Sequence, residues 1–132
     1  MKKSFSLSDL NTVKKCDESV VFEPVGADGK KLGFSLSVLG AHSTTVQKWV
    51  NKELNKRRRQ EAVQKKRGAA DTRPVEDDIE FGYEVVAIRI TGWEGITDEF
   101  TPENALLLCQ TNPDICLQVR EVSEDIANFT RG

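Results

Sequence analysis

One segment near the middle of the chain limits where a hydrophobic core can form. Residues 48–67 carry nine Lys and Arg against two Asp and Glu, a net charge of +7. The pattern predicts a helix over residues 43–67, opened by a capping box of Thr44 and Gln47. Its first turns carry apolar residues at helical spacing, namely Val46, Trp49, Val50 and Leu54. Beyond them the helix is charged all round, so we expect it to project as a solvated basic arm.

Two β-strands are predicted before this helix. The stretch "SVVFEPV" is rich in β-branched and aromatic residues, and Pro24 is expected to end the first strand. In "FSLSVLG" the residues Phe34, Leu36 and Val38 alternate with serines. The pair Asp28-Gly29 between the two stretches is a strong hairpin signal. Because a lone hairpin is marginal in water, we expect it to pack on helices.

The last third of the chain carries two helix-start signals. Thr101-Pro102-Glu103 predicts a helix over 102–110, and its continuous apolar run predicts that this helix is buried all round. Asn112-Pro113-Asp114 predicts a second, amphipathic helix over 113–129. The apolar face of that second helix consists of Ile115, Val119, Val122, Ile126 and Phe129.

Residues 79–91 fit two patterns. Ile79, Phe81, Tyr83 and Val85 alternate as in a strand, whereas Tyr83, Val86, Ala87 and Ile90 form a helical stripe. An acidic opening and a stop at Gly92 favour the helix.

These elements predict an α+β fold, a small N-terminal β-hairpin packed on a body of about four to five helices. The chain is expected to form a single domain over 1–132. Its parts are an N-terminal lead and hairpin (1–42), the basic helix (43–67), a linker (68–74) and an acidic helical part (75–132). Residues 71–132 carry four Lys and Arg against fourteen Asp and Glu, so a basic arm is joined to an acidic body.

The residue types needed for catalysis are scarce. His42 is the only histidine, and Cys16, Cys109 and Cys116 lack metal-ligand or redox spacing. They are best interpreted as small core residues of a protein in a reducing compartment. Phosphate-binding glycine motifs are absent from the sequence, and no apolar run approaches the ~20 residues that span a bilayer. We therefore expect no enzyme, metal site, cofactor or membrane segment.

The basic helix 48–67 leaves a nucleic-acid-binding regulator open as an alternative. The cations that would contact phosphates are Arg57, Arg58, Arg59, Lys65, Lys66 and Arg67. The acidic remainder of the chain and the pI of about 5.5 disfavour nucleic acid. The same cations could instead contact an acidic partner or the acidic body of a neighbouring copy.

Several motifs occur in an order that resembles a family of phage proteins. They are "LSDLNTVKKCDES", "FSLSVLGAHSTTVQKW", the basic helix, "GWEGI", "FTPENALLL" and "QVREVSEDIANF". Together they span residues 7 to 129. The family is that of the tail assembly chaperones of long-tailed bacteriophages and prophages.

The resemblance implies a non-enzymatic assembly factor in the host cytoplasm that is absent from the finished virion. Such a protein binds the tape measure protein and promotes polymerisation of tail tube protein, in some cases through a longer frameshifted form. A minor structural protein of the tail or neck is a further alternative. We expect apolar residues to form the partner-binding groove, with Trp93 at its lip. The candidates are Trp93, Phe100, Leu106, Val119, Val122, Ile126 and Phe129.

Overall fold

The computed structural model describes Ser4, residues 6–66 and residues 75–130. Within this part the chain forms a 3-10 helix, six α-helices and a three-stranded sheet, which confirms the predicted α+β class. The predicted linker 68–74 lies outside the described residues. The elements are a 3-10 helix (Leu7–Leu10), α1 (Thr12–Cys16), β1 (Val20–Phe22), β2 (Ser35–Val38), α2 (Thr44–Lys66), α3 (Val75–Ala87), β3 (Ile90–Glu94), α4 (Pro102–Thr111), α5 (Pro113–Glu124) and α6 (Ala127–Thr130).

The predicted hairpin is present as strands β1 and β2, which pair antiparallel with Phe22 opposite Leu36. Leu36 and Val38 are fully buried, as the alternation predicted. The Asp28-Gly29 pair lies at the tip of a long connection, where Gly29 has a positive φ of 79° and its N–H donates to the Gly26 carbonyl. Strand β1 ends at Phe22, just before Pro24.

Strand β3 corrects the prediction for residues 79–91. The helix extends only to Ala87, and Ile90–Glu94 pairs antiparallel with the free side of β2. Gly92, expected to stop a helix, lies inside this strand opposite Ser37. Thr91 is the extra residue at an irregularity in the pairing, and its hydroxyl donates to the Ser37 carbonyl at 3.3 Å. Ile90 suits either pattern, so local periodicity could not reveal that β2 has a partner on each side.

The start of α2 also differs from its prediction. Ser43, which is fully buried, caps the helix through a bond from the Val46 N–H to its Oγ at 3.1 Å. Thr44 does not form a capping box with Gln47, because its N–H and hydroxyl donate to the two carboxylate oxygens of Asp17 at 2.6 and 3.0 Å. A carboxylate at the end of α1 thus outcompetes the local capping partner.

Helix α4 begins as predicted but is not buried all round. The Thr101 hydroxyl accepts the Asn104 N–H at 3.0 Å, with Pro102 in the first turn. Ala105 and Cys109 face the core, whereas Leu107 is 54% exposed. Because α4 packs against α3 and α5 and not on every side, its continuous apolar run leaves one face on the surface.

The predicted helix 113–129 is two helices. Helix α5 ends at Glu124, Asp125 adopts an extended ψ of 94°, and the Asp125 carboxylate accepts the Ala127 N–H at 3.2 Å where α6 begins. Val119 and Phe129 are nevertheless both buried. Residues predicted to face the core are therefore buried on both sides of a helix break that their spacing did not reveal.

The core lies between the sheet and the three helices α3, α4 and α5. All three cysteines are buried, which confirms their interpretation as core residues. The Gln118 side-chain amide on α5 ties the β1–β2 connection to the helices, since it both accepts from and donates to the Val25 backbone at 2.8 Å. The core residues are Leu36, Val38, Val86, Ala87, Ile90, Ala105, Cys109, Ile115, Cys116 and Val119.

Candidate partner-binding surface

The exposed side of α4 is the centre of the candidate site. Leu107 points outward there, and Leu106 and Leu108 on either side of it are half-buried. Leu107 is exposed between two depressions with aromatic residues in their walls, and apolar surface grouped in this way is a candidate for binding a partner. A cleft lies on each side of α4.

The first depression, the Trp49 cleft, is a groove where α2, α3, β3 and α4 converge. Its volume is about 240 Å³, below the roughly 300–1,000 Å³ of small-molecule pockets. This size suits one or two side chains of another protein. All but one of its lining residues are apolar or aromatic: Trp49, Glu84, Ala87, Ile88, Ile90, Phe100, Pro102 and Leu106.

Trp49 is held in place by α3. Its indole stacks on Phe81 with ring centroids 6.0 Å apart and ring planes 16° from parallel. The Arg57 guanidinium lies over the same Phe81 ring, 4.0 Å from its centroid. These contacts fix the first half of α2 against α3 and therefore set one wall of the cleft.

The second depression, the Trp93 cleft, lies on the other side of the Trp93–Phe100 ring pair. The two rings meet edge to face with centroids 5.1 Å apart, and Trp93 Nε1 donates to the Asp98 carbonyl at 2.9 Å. The cleft has a volume of about 260 Å³ and a more polar lining than the first. It is lined by Trp93, Ile96, Asp98, Asn104, Leu107, Leu108, Thr111 and Asn112.

Glu84 is the one charged residue that lines the Trp49 cleft. Burial raises the pKa of its carboxyl, and the negative charges of Glu80 and Glu53 raise it further. The positive charges of Arg57 and Lys56 act in the opposite direction and are smaller causes. A cation that approaches from outside would therefore favour the ionised form of this carboxyl group.

The structure brings together some of the predicted apolar residues and separates others. Trp93, Phe100 and Leu106 surround the N-terminal half of α4 and line the two clefts. Val119 is fully buried and Phe129 nearly so, which places both side chains in the core. The remaining two candidates, Val122 and Ile126, are half-buried. No residue of α5 or α6 lines either of these two clefts.

The predicted basic contacts also have unequal surroundings. Arg57 is half-buried against Phe81 and lies 3.5 Å from the Asp78 carboxylate. Arg58, Arg59 and Lys66 are exposed on α2. Lys65 lies on α2, but its side chain is outside the described part of the chain, as is the whole of Arg67.

The sequence analysis did not identify the wall of the site that Trp49 and Glu84 form. The helical spacing predicts Trp49 on the packed face of α2, although the enrichment of tryptophan at interfaces also makes it a candidate contact residue. Glu84 interrupts the helical stripe of Tyr83, Val86 and Ala87, and an acid beside such a stripe is a detectable signal. The sequence pattern does not predict Ile88 and Ile90 at a binding surface, because only the turn into β3 brings them to the cleft.

Within the described residues, no group of three or more His, Cys, Asp or Glu side chains is placed to hold a metal ion. His42 lies in the turn before α2, where its carbonyl accepts the Gln47 side-chain amide at 2.7 Å. None of the helices in the described ranges combines the length and apolarity that a membrane span needs.

Comparison with known families places most of the chain in a prophage protein family. A model of the family described as "YdaY prophage protein" matches residues 45–132. The matched region contains every residue that lines the two clefts, whereas β1 and β2 precede it. Comparison with curated proteins and with solved structures gives no match.

Proposed function

Because this chain belongs to the YdaY prophage protein family, we propose that it acts as a non-enzymatic tail assembly chaperone. It binds the tape measure protein encoded by the same prophage and promotes polymerisation of the tail tube around it. The prophage origin follows from family membership. The chaperone role rests on the resemblance of the sequence motifs and on the surface around α4.

The observation that carries the proposal is an exposed leucine of α4, Leu107, between two clefts with aromatic residues in their walls. A tape measure protein is a long, helix-rich chain whose apolar stripes would associate with one another in water. A chaperone prevents this by covering the stripe with its own apolar groove, the helix-in-groove mode of recognition. Leu107, 54% exposed, and the aromatic walls of Trp49 and Trp93 supply such a groove.

The basic arm has a second role in this proposal. Exposed Arg58 and Arg59 on α2 would contact the acidic body of a neighbouring copy and arrange several copies along one tape measure. A longer frameshifted form would contact the tail tube protein. The protein would act in the host cytoplasm and be absent from the finished virion.

Co-expression with the tape measure protein tests the proposal. Wild-type protein should keep the tape measure soluble and be recovered in complex with it. An insoluble tape measure with no recovered complex contradicts the function. If purified particles contain the protein, the alternative of a structural tail or neck component is favoured instead.

A matched pair of variants locates the surface. Leu107→Glu and Leu117→Glu change leucines of nearly equal exposure, 54% and 53%, on neighbouring helices. Leu117 lines neither cleft. We expect Leu107→Glu to abolish the solubilising effect and Leu117→Glu to preserve it. Equal behaviour of the two variants would place the binding surface elsewhere.

A nucleic-acid-binding regulator is the second candidate, and the exposure of Arg58 and Arg59 favours it. Arg57 is less accessible for contact with phosphates than these two arginines, because its guanidinium packs on Phe81. Duplex DNA binding that weakens steeply with salt and is lost in Arg58→Ala/Arg59→Ala would support this candidate. Absence of binding at low salt would remove it.

A further inference from the structure

The Trp49 cleft has a charged residue, Glu84, in a wall whose other described residues are apolar or aromatic. Glu84 is half-buried in the wall of a largely apolar cleft, and its carboxylate makes no hydrogen bond or ion pair with another of the described residues. Partial burial of an unpaired carboxylate costs stability. Glu80 lies one turn earlier on the same face of α3, and like charges at this spacing repel.

We propose that the Trp49 cleft binds an amphipathic partner helix that carries a Lys or Arg beside its apolar residues, with Glu84 as the carboxylate that pairs with that cation. The apolar side chains enter between Trp49, Phe100 and Leu106, and the cation reaches Glu84 at the wall. The inference deepens the proposed function, on which it rests for the partner's biological identity.

Charge complementarity identifies the occupant. The groups around Glu84 are the carboxylates of Glu80 on α3 and Glu53 on α2, opposed by Lys56 and Arg57 on α2. Arg57 is directed to Phe81 and Asp78. An incoming cation would offset the repulsion among the carboxylates, and the enclosed setting strengthens the resulting ion pair. An acidic or purely apolar helix would leave Glu84 buried without a partner, which makes the residue a determinant of specificity.

The test uses two synthetic helical peptides that differ at one position. Both carry leucines one helical turn apart, with either lysine or glutamine beside them. Wild-type protein should bind the lysine peptide about tenfold more tightly, as expected for one charge-assisted hydrogen bond. Glu84→Gln should remove this preference. Glu94→Gln, which neutralises an exposed acid of β3 that lines neither cleft, should retain it.

A site-specific readout separates cleft binding from general attraction to an acidic protein. The two indole N–H signals in an NMR spectrum report the two clefts separately, and Trp49→Phe and Trp93→Phe assign them. The lysine peptide should shift the Trp49 signal and leave the Trp93 signal in place. Equal affinity for both peptides, or a preference that survives Glu84→Gln, would overturn the inference.

Loss of folding cannot imitate the expected result. Replacing Glu84 with neutral Gln removes the buried charge, so the variant should be at least as stable as the wild type. The peptides also separate this inference from the function it deepens. A Glu84-dependent preference without tape measure binding would refute the chaperone role alone, and tape measure binding without the preference would refute the role of Glu84 alone.

Discussion

The indole of Trp93 meets the Phe100 ring edge to face, with ring centroids 5.1 Å apart and ring planes at 89°. This pair separates the two clefts, since Phe100 lines one and Trp93 the other. The hydrogen bond from Trp93 Nε1 to the Asp98 carbonyl at 2.9 Å holds the β3–α4 connection in place beneath the pair. Each cleft therefore has one ring of the pair in its own wall.

Replacement of Trp93 separates the hydrogen bond from the ring contact. Trp93→Phe keeps a ring but loses the indole donor, so the free energy of unfolding should fall by about 0.5–1.5 kcal/mol. Trp93→Ala also loses the ring pair and the buried area of the indole, so its free energy of unfolding should fall by at least about 0.5–1.5 kcal/mol more. Urea denaturation measures both values. Wild-type stability in Trp93→Ala would show that the pair does not order the connection.

Gly40 is required by its neighbour. A Cβ at this position would lie 2.5 Å from Cys16 Sγ and 2.7 Å from Cys16 Cβ. Gly40→Ala should therefore destabilise the protein by about 1–3 kcal/mol through overpacking. Gly82→Ala on α3 is the matched control, because its Cβ meets nothing within 4 Å. It should raise the free energy of unfolding by about 0.5–1 kcal/mol through helix propensity. Thermal melts that shift in the same direction for both variants would contradict this reasoning.

Adjacent arginines on α2 should differ in their contribution to stability. Arg57 lies 4.0 Å from the Phe81 ring centroid, so Arg57→Ala should lower the free energy of unfolding by about 0.5–1 kcal/mol. Arg58 is exposed, and Arg58→Ala should stay within about 0.5 kcal/mol of wild type. Urea denaturation of both variants at one salt concentration is the measurement. A larger loss in Arg58→Ala would show that the exposed cation has a structural partner.

Substitutions of the buried Arg89 and of its ion-pair partner Glu124 should change the free energy of unfolding in opposite directions. Its Nε and Nη1 atoms make no hydrogen bond within the described chain, and its ion pair with Glu124 is long, at 3.8 Å. Burial lowers the pKa of the Arg89 guanidinium, and the Glu124 carboxylate opposes this shift. Arg89→Met should leave stability unchanged or raise it by about 1–4 kcal/mol, since the replacement removes a costly buried charge.

Glu124→Gln should act in the other direction, because it takes the counter-charge from Arg89 and leaves the guanidinium buried. The Glu124 side chain is 48% exposed, so the loss should be only about 1 kcal/mol. Denaturation of both single variants checks the pair of signs. Destabilisation by Arg89→Met comparable to a cavity in the core would indicate that the guanidinium is satisfied after all.

The raised pKa of Glu84 leads to a prediction of how the free energy of unfolding changes with pH. Its pKa is raised in the folded state, chiefly by burial, so the unfolded chain ionises first as the pH rises. The folded state then loses stability relative to a Glu84→Gln variant. The variant's advantage should be absent below the unfolded pKa and complete above the folded one. Denaturation midpoints at several pH values from about 4 to 7 measure it. An advantage that is constant across this range would contradict the stated cause.

Two signals confined to a few neighbouring residues predict their elements correctly. Thr101 followed by Pro102 fixes the start of α4, and Asp28-Gly29 fixes a turn, because each acts through hydrogen bonds and backbone angles of adjacent residues. The Asp125 break is an instructive failure. The apolar residues before and after Asp125 keep the same helical spacing, so periodicity alone cannot detect the change in backbone direction.

The α+β class, the hairpin, the burial of the cysteines and the separation of a basic helix from an acidic body can be predicted from the sequence, because each follows from composition or short-range spacing. The position of the candidate binding surface depends on contacts between distant elements. Strand β3 forms because β2, distant in the sequence, offers unpaired backbone groups. Packing on one side alone exposes Leu107 of α4. The Trp49 cleft exists only where four elements meet, and no local pattern encodes such a meeting.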